Sequence, residues 1–155
     1  MTEFTHICED QIRMVDVSAK NIVSREATAS GAIYLKTETL QAIASGTAIK
    51  GNVLATARVA ATLAIKDTAR IIPMCHSIPI HGIDIWFEQS EESITARVRV
   101  VSEGKTGVEM EALVGVSTAL LTIWDMVKSA EKDENGQYPV TRIEHIRVDE
   151  KKKGH

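Results

Sequence analysis

The period of hydrophobic and polar positions changes along the chain, and each change predicts an element of secondary structure. Apolar and polar residues alternate at 26–36, 83–89 and 94–102, a period of two that favours β-strands. The turn sequence SEES separates the second and third of these segments, so they are expected to form a hairpin. Residues 139–148, PVTRIEHIRV, are predicted to form the last strand.

Apolar positions three to four residues apart predict helices between these strands. Thr37 is expected to be the N-cap of the first helix, and Gly46 to end it. Residues 53–71 are predicted to form a largely buried helix, and residues 109 to about 131 a long one. The order is therefore β-α-β-β-α-β, with a pair of helices at the first α position. It predicts a split βαβ, or ferredoxin-like, α+β fold, with helices on one face of an antiparallel sheet.

The length of the chain, 155 residues, is typical of a single domain with its own core. Residues 1 to about 24 show no sustained period and are expected to form an N-terminal arm. The charged residues 149–155 are expected to form a C-terminal tail. No repeat or second domain is recognisable in the pattern, so one domain is predicted over residues 1–155.

Composition argues against binding to nucleic acids or membranes. The net charge is −3, which provides no overall attraction for nucleic acids or anionic lipids. Aromatic residues make up only 4% of the chain, too few for a typical base-stacking surface. The longest uncharged run, 112–124, is too short and too rich in Ser, Thr and Gly to cross a bilayer.

Cysteine usage and the N-terminal sequence favour a cytoplasmic protein. Cys8 and Cys75 lie far apart and form no disulfide framework, which suits a reducing compartment. The first residues, MTEFTHICEDQIR, contain acidic side chains and no apolar core, unlike a signal peptide.

The segment between Pro73 and Pro79 is the first place with candidate chemistry. The two prolines favour a stiff, extended connection, which is a suitable support for a positioned side chain. Cys75 and His76 are adjacent, which is a poor geometry for binding one zinc ion. A nucleophilic Cys–His pair is possible, but adjacency in the sequence does not prove it. The alternative is a buried thiol beside a hydrogen-bonded histidine, and the sequence leaves both interpretations open.

Glu109 and Glu111 are the second candidates, at the start of the long predicted helix. Acidic residues in a first helical turn stabilise the positive end of the helix dipole, which is the structural interpretation. The functional interpretation is that the preceding glycines let a ligand approach, while the carboxylates bind polar groups or transfer protons.

Asp125 and Lys128 are the third candidates, one turn apart near the other end of that helix. They are either a surface ion pair or, since they follow an uncharged stretch, a partly desolvated pair that works as an acid or base. Glu111 and Asp125 are 14 residues apart, or about 21 Å along a helix axis. If both act on one small substrate, a second subunit must supply one of them, which predicts a symmetric oligomer.

Two other classes of function remain open at this point. A sensor that binds an effector without turnover has the same topology, as does an RNA-recognition module. The latter needs exposed aromatic residues on one sheet face, and Trp86 and Phe87 point to opposite faces.

Basic residues in loops and at helix ends are either solvated or converge on an anionic ligand.

Five segments, taken together and in this order, resemble the MoaC family of cyclic pyranopterin monophosphate synthases, which act in molybdenum cofactor biosynthesis. The segments are MVDVSAK (14–20), KGNVLATARVA (50–60), IPMCHSIPI (72–80), GKTGVEMEAL (104–113) and LTIWDMVK (121–128). The resemblance covers residues 14 to about 150.

The resemblance implies a ferredoxin-like subunit in a hexamer, a trimer of dimers with active sites at the dimer interface. It implies a lyase that converts 3′,8-cyclo-7,8-dihydroguanosine 5′-triphosphate to cyclic pyranopterin monophosphate and releases pyrophosphate. No cofactor is implied, and Mg²⁺ is left open only as a companion of the triphosphate. Neither nucleic acid nor membrane is an implied partner.

The resemblance also implies site residues. The implied catalytic residues are Asp125, Lys128 and Lys50. The implied substrate-binding residues are Met74, Cys75, His76, Glu109, Met110, Glu111, Arg25, Lys66 and Lys151. The chain departs from the family pattern at Met74, where the family has leucine, and at its end, where EKKKGH replaces a glycine-rich lysine tail.

Overall fold

The computed structural model of the protein describes residues 7–8 and 11–154. A short antiparallel pair is formed by β1 (Ile7–Cys8) and β2 (Gln11–Ile12). The main sheet is formed by β3 (Val23–Tyr34), β4 (Gly82–Gln89), β5 (Ser93–Gly104) and β6 (Arg142–Lys153). The helices are α1 (Thr37–Ser45), α2 (Val53–Lys66), α3 (Thr68–Ile71) and α4 (Glu109–Glu131).

The main sheet has the strand order β4-β5-β3-β6, and all three pairings are antiparallel. Alternate residues of β5 are fully buried on the helical face of the sheet, as expected for a half-buried strand: Ile94, Ala96, Val98 and Val100. The predicted hairpin is confirmed as β4 and β5. A four-stranded antiparallel sheet covered by helices on one face confirms the predicted α+β ferredoxin-like fold.

Helix α4 lies close to both the sheet and α2 because glycines stand at the contact points. A Cβ atom at Gly115 would lie 2.7 Å from Cδ1 of Ile65 in α2. A Cβ atom at Gly31 of β3 would lie 3.0 Å from Val116 and Leu120. Any larger residue at either glycine would force the elements apart, so these positions set the depth of α4 in the core.

Helix α4 has the length and composition of a membrane span, with a mean hydropathy of 1.4 over its most apolar window. Half of that window is buried inside the fold, and α4 contributes Val116, Ala119, Leu120 and Ile123 to the core. The apolar character of α4 is therefore explained by its position as the central helix of the domain's core.

The prediction that Thr37 is the N-cap of α1 is wrong. The N-cap is Lys36, in an extended conformation, and its side chain makes no capping hydrogen bond. The backbone N–H of Lys36 donates instead to the carboxylate of Glu131, at 3.0 Å. Thr39 and Thr141 also donate hydroxyl hydrogen bonds to this fully buried carboxylate. Gly46 does end the helix as predicted, in the left-handed region at φ +72°.

The predicted helix over 53–71 is interrupted at Asp67, which separates α2 from α3. Thr68 explains the interruption, because its hydroxyl donates to the backbone oxygens of Ala64 at 3.2 Å and Ile65 at 2.9 Å. A side chain that bonds carbonyls of the preceding turn competes with regular helix continuation.

Two strands have different limits from those predicted. β3 begins at Val23, inside the predicted arm, and ends at Tyr34. β6 begins at Arg142 and continues to Lys153, so residues 149–153 are strand and not tail. Pairing with β3 extends β6, since Lys152 and Lys153 lie opposite Glu26 and Arg25. The pattern gave no sign of this pairing because residues 149–153 are all charged.

Candidate active site

A pocket of about 300 Å³ lies at the N-terminal end of α4. Six of the predicted site residues line it: Met74, Cys75, His76, Glu109, Met110 and Glu111. The first three come from the proline-bounded loop and the last three from the first turn of α4. A larger cavity of about 470 Å³ lies between α1 and the C-terminal half of α4, but none of the predicted site residues lines it. The smaller, more polar pocket is therefore the candidate ligand site.

Glu111 is the buried carboxyl group of this pocket, with only 4% of its surface exposed. Burial raises the pKa of Glu111, and the nearby charge of Glu109 raises it further against a hydrogen bond from its own backbone. No ion pair with Glu111 occurs within residues 11–154. A carboxyl group in this state holds its proton to a higher pH than usual, which suits proton transfer.

Glu109 lies in the same helical turn as Glu111, but its pKa is shifted in the opposite direction. Burial alone would raise the pKa of Glu109, but its backbone N–H and the cations of Lys151 and Arg25 lower it overall. The Nζ atom of Lys151 is 3.1 Å from Oε1 of Glu109. Two neighbouring carboxyl groups with opposite pKa shifts form a pair in which one is charged and the other is protonated more readily.

Gly107 makes room for the Glu109 carboxylate. A Cβ atom at this position would overlap Oε2 of Glu109 and lie 2.7 Å from its Cδ. The absence of a side chain thus lets Glu109 fold back over the loop that precedes α4. Gly107 lies within GKTGVEMEAL, one of the five segments that resemble the family, but nothing in that segment indicates this contact.

Cys75 and His76 lie in the pocket with separate roles. Burial, aided by the charge of Glu111, raises the pKa of the Cys75 thiol, which disfavours the nucleophilic thiolate. The Nε2 atom of His76 donates a hydrogen bond to the backbone oxygen of Val15 at 2.6 Å. Cys75 is a free thiol, whereas the side chain of Cys8 lies outside the described residues. The buried thiol beside a hydrogen-bonded histidine is the interpretation that this geometry favours.

The second cluster, at the other end of α4, consists of Asp125, Lys128 and Lys50. The Nζ atom of Lys128 donates to Oδ1 of Asp125 at 2.8 Å. The Nζ atom of Lys50 donates to the backbone oxygen of Asp125 at 3.0 Å and lies 3.5 Å from Oδ2. Two lysines therefore converge on one carboxylate.

The electrostatics of this cluster follow from these contacts. The hydrogen bond with Asp125, followed by its charge, raises the pKa of Lys128. The same hydrogen bond, and then the charges of Lys128 and Lys50, lower the pKa of Asp125. Lys128 is therefore an ammonium ion at neutral pH, able to donate a proton or bind an anion.

Of the two interpretations of this pair, its exposure in the isolated subunit favours a surface ion pair over a partly desolvated one. The side chains of Asp125 and Lys128 are 59% and 44% exposed. Ile123 and Val127 of the same helical stretch are buried against the core, so Asp125 lies on the opposite, outward face.

Helix α4 separates the two clusters. It is continuous from Glu109 to Glu131, and Glu111 and Asp125 are 14 positions apart, which corresponds to about 21 Å along the helix axis. The structure therefore brings the predicted residues together as two groups, one at each end of one helix. Within one subunit these groups are too far apart to contact the same small molecule.

Arg25 and Lys66 belong to neither group by direct contact. The guanidinium of Arg25 donates to the backbone oxygens of Gly104 and Lys105, at 3.5 and 3.2 Å, and so supports the loop before α4. Lys66 is exposed at the last position of α2 and does not line the pocket.

Two residues near the clusters were not identified by sequence reasoning. Lys20 lines the pocket, and Tyr138 packs edge-to-face on Trp124, with ring centroids 5.2 Å apart, beside the Lys128 cluster. Lys20 lies inside the family-like segment MVDVSAK, which was the available signal. Tyr138 lies between helix and strand, where the sequence offers no signal for its position.

The described part of the chain contains no cluster of metal-ligating side chains. Within residues 7–8 and 11–154, no three side chains of His, Cys, Asp or Glu are close enough together to hold an ion. Mg²⁺ as a companion of a triphosphate stays a prediction.

The fold and the two clusters define a class: a small ferredoxin-like α+β protein with acid–base groups at both ends of its central helix. The sequence matches the MoaC family over residues 14–154, and the chain therefore belongs to the MoaC family. This match confirms the resemblance drawn from the five segments.

Curated relatives cover nearly the whole chain. A protein of Methanospirillum hungatei named "Probable cyclic pyranopterin monophosphate synthase" is 71% identical over 153 residues, covering 99% of this chain and 98% of that protein. Proteins of Methanoregula boonei and Methanosphaerula palustris carry the same name. They are 68% and 65% identical, cover 99% of this chain in both cases, and are matched over 99% and 100% of their own lengths.

Proposed function

We propose that this protein is a cyclic pyranopterin monophosphate synthase of molybdenum cofactor biosynthesis. It is a lyase that converts 3′,8-cyclo-7,8-dihydroguanosine 5′-triphosphate to cyclic pyranopterin monophosphate and pyrophosphate. The proposal is supported by the family match and by the shared name of the relatives. The structural observation that carries it is the presence of a carboxylate pocket and a lysine–aspartate cluster at opposite ends of α4.

The pocket at the start of α4 suits the guanine-derived part of this substrate. A guanine-type ring presents an N–H and an amino group side by side, and carboxylate oxygens accept hydrogen bonds from both. Glu111 and the charged Glu109 supply such acceptors in a pocket of about 300 Å³. Glu111, whose pKa is raised by burial, is also suited to exchange protons with the ring nitrogens as the pterin forms.

The cluster of Lys50, Asp125 and Lys128 suits the triphosphate and the cyclising step. In that step a hydroxyl oxygen of the sugar-derived part attacks the α-phosphorus, and the bond to the β-phosphate oxygen breaks. The hydroxyl loses its proton, and pyrophosphate leaves as the cyclic phosphodiester closes. Lysine ammonium groups stabilise the charge that develops on the leaving pyrophosphate, while Asp125 holds Lys128 in place.

Two subunits form each active site in this proposal. The carboxylate pocket of one subunit faces the lysine–aspartate cluster of another, because one α4 holds them about 21 Å apart. Exposed apolar residues on the outer faces of α2 and α4, such as Val59, Leu63 and Leu121, favour association of subunits. We propose the trimer of dimers implied by the family resemblance, in the cytoplasm.

The direct test is turnover of the cyclised guanosine triphosphate by the purified protein. Two measurements monitor it: the release of pyrophosphate and the fluorescence of the pterin product after oxidation. The proposal expects both products in equal amounts. Tight binding of the substrate without pyrophosphate release would instead identify a sensor and contradict the proposal.

A further inference from the structure

Residues 14–20 of the N-terminal arm cross the rim of the carboxylate pocket, the pocket that contains Glu109 and Glu111. Two side chains from the pocket region hold it there: His76 donates to the backbone oxygen of Val15 at 2.6 Å, and Lys105 to that of Ser18 at 2.9 Å. These contacts come from different elements, so the arm is fixed at two separate points.

The end of the arm is a tight turn that fixes the backbone of Lys20. Oδ1 of Asp16 accepts hydrogen bonds from the backbone N–H of Ser18 at 2.8 Å and from its hydroxyl at 2.6 Å. The backbone N–H of Lys20 donates to the oxygen of Val17 at 3.0 Å. Lys20 thereby becomes part of the pocket wall.

Lys20 differs from the other cations near the pocket because its ammonium group forms no ion pair or hydrogen bond with the described residues. Arg25 is bonded to backbone oxygens, Lys105 to Ser18, and Lys151 to Glu109. Within residues 11–154, no ion pair or side-chain hydrogen bond involves Lys20, which is exposed to solvent. The ammonium group is therefore available to a ligand.

The charges around the pocket determine which ligand atom Lys20 would contact. Glu109 and Glu111 share the same pocket and would repel a phosphate group placed there. No ion pair joins Lys20 to either carboxylate, so donor and acceptors stay separate around the cavity. A neutral ring that has both N–H groups and a carbonyl oxygen satisfies all three side chains at once.

We infer that Lys20 donates a hydrogen bond to the ring carbonyl oxygen of the guanine-derived substrate, while Glu109 and Glu111 accept from its N–H groups. Lys20 is then a specificity-determining residue for 6-oxo, 2-amino rings. This inference rests on the proposed function, since it assigns the orientation of that substrate in the same pocket.

The first test measures the kinetics of the Lys20→Met variant, which keeps an unbranched side chain, one atom shorter than that of lysine, and removes the ammonium group. A lost hydrogen bond from a charged donor is expected to raise KM for the cyclised guanosine triphosphate about 10-fold or more, with little change in kcat. Lys20→Arg should restore most of the loss. A KM within twofold of the unmodified protein would overturn the inference.

Lys152→Met is the matched control. Lys152 is also an exposed lysine, but its ammonium group pairs with Glu26 and Glu150, at 3.8 and 3.7 Å. The control is expected to keep the KM of the unmodified protein. An equal rise of KM in both variants would show a general loss of positive charge and contradict a specific contact by Lys20.

The second test locates the contact with two inhibitors of turnover, GTP and 2-aminopurine riboside triphosphate, which lacks the carbonyl oxygen. Lys20→Met is expected to weaken inhibition by GTP about 10-fold and to leave inhibition by the analogue unchanged. Equal weakening for both compounds would assign Lys20 to the phosphates and overturn the inference. Absence of inhibition by GTP would also count against a pocket that recognises guanine.

The two proposals fail in distinguishable ways. If the unmodified protein releases no pyrophosphate from the substrate, the proposed function fails. If it turns over normally but Lys20→Met behaves like Lys152→Met, only the inference about Lys20 fails.

Discussion

The Nζ atom of Lys128 lies 2.8 Å from Oδ1 of Asp125, one helical turn away, while Nζ of Lys50 lies 3.5 Å from the other carboxylate oxygen. Asp125 therefore fixes two cations in one place. Both partners of each pair are exposed, so the ion pairs contribute little to stability. In the proposed mechanism, the two cations bind the triphosphate.

Replacement of Lys128 with methionine should abolish turnover without unfolding the protein. Loss of a general acid typically costs a factor of about 10² to 10⁴ in rate. Because the side chain is exposed, the free energy of unfolding should change by less than about 0.5 kcal/mol. Pyrophosphate release and thermal unfolding are the two measurements. Near-normal turnover in Lys128→Met would exclude a central role for this residue.

Replacement of Asp125 with asparagine should move the alkaline limit of activity to lower pH. Asp125 raises the pKa of Lys128, so the protonated form of Lys128 persists to higher pH in the unmodified protein. Asparagine removes that charge, and the pKa of Lys128 should fall. The measurement is the pH dependence of kcat between neutral pH and the onset of unfolding. An unchanged alkaline limit would mean that the titration of Lys128 does not control the rate.

Replacement of Glu111 with glutamine should lower activity and raise stability at neutral pH. Burial raises the pKa of folded Glu111, so this group favours the folded state below its unfolded pKa and loses that contribution as pH rises through the folded pKa. At neutral pH, burial of the charged carboxylate therefore destabilises the folded state, and a glutamine at this position avoids that effect.

Two measurements check this expectation. Thermal unfolding should show a higher melting temperature for Glu111→Gln at pH 7 and a smaller difference near pH 4, while turnover falls at least about 10²-fold. A lower melting temperature at pH 7 would mean that an interaction of the charged form outweighs the desolvation of Glu111.

Replacement of Gly107 with alanine should displace the Glu109 carboxylate but leave the fold intact. The new methyl group would meet the end of a flexible side chain, which can move away at little cost. KM should rise about 10-fold if one charged hydrogen bond to the substrate is lost. Gly82→Ala is the matched control, since its Cβ would meet Val101 at an ordinary 3.7 Å. Equal effects of both substitutions would contradict a specific role of Gly107.

Mixing two inactive variants should restore activity if each active site is shared. One variant is Glu111→Gln and the other is Lys128→Met, each altered at one end of α4. Random exchange of subunits in a dimer gives about a quarter of the sites with both native residues. The measurement is turnover after joint refolding or coexpression. No recovery in mixed oligomers would show that both residues act within one subunit and would contradict a shared active site.

Local patterns in the sequence predicted most of the fold. The period of apolar residues located α4 and the β4–β5 hairpin, and Gly46 ended α1 because its left-handed conformation is a local property of glycine. The capping of α1 was mispredicted because its acceptor, Glu131, is 95 residues from Lys36 in the sequence. Local patterns in a single sequence do not show contacts between residues so far apart.

The same distinction applies to the candidate site. Glu109, Glu111, Asp125 and Lys128 lie on one helix, so their separation followed from helical geometry alone. The position of Lys20 depends on the arm folding back across the pocket, through contacts between Val15 and His76, 61 residues apart. The sequence marked these segments as related to one family but could not show that they meet.

Residues far apart in the sequence contribute to one cavity. Its wall includes Lys20 and Glu109, and Lys151 forms an ion pair with Glu109. A ribosome makes Lys151 long after Lys20, so this cavity can form only once the chain has been made as far as Lys151. A chain that stopped before that point would lack the cation that holds Glu109.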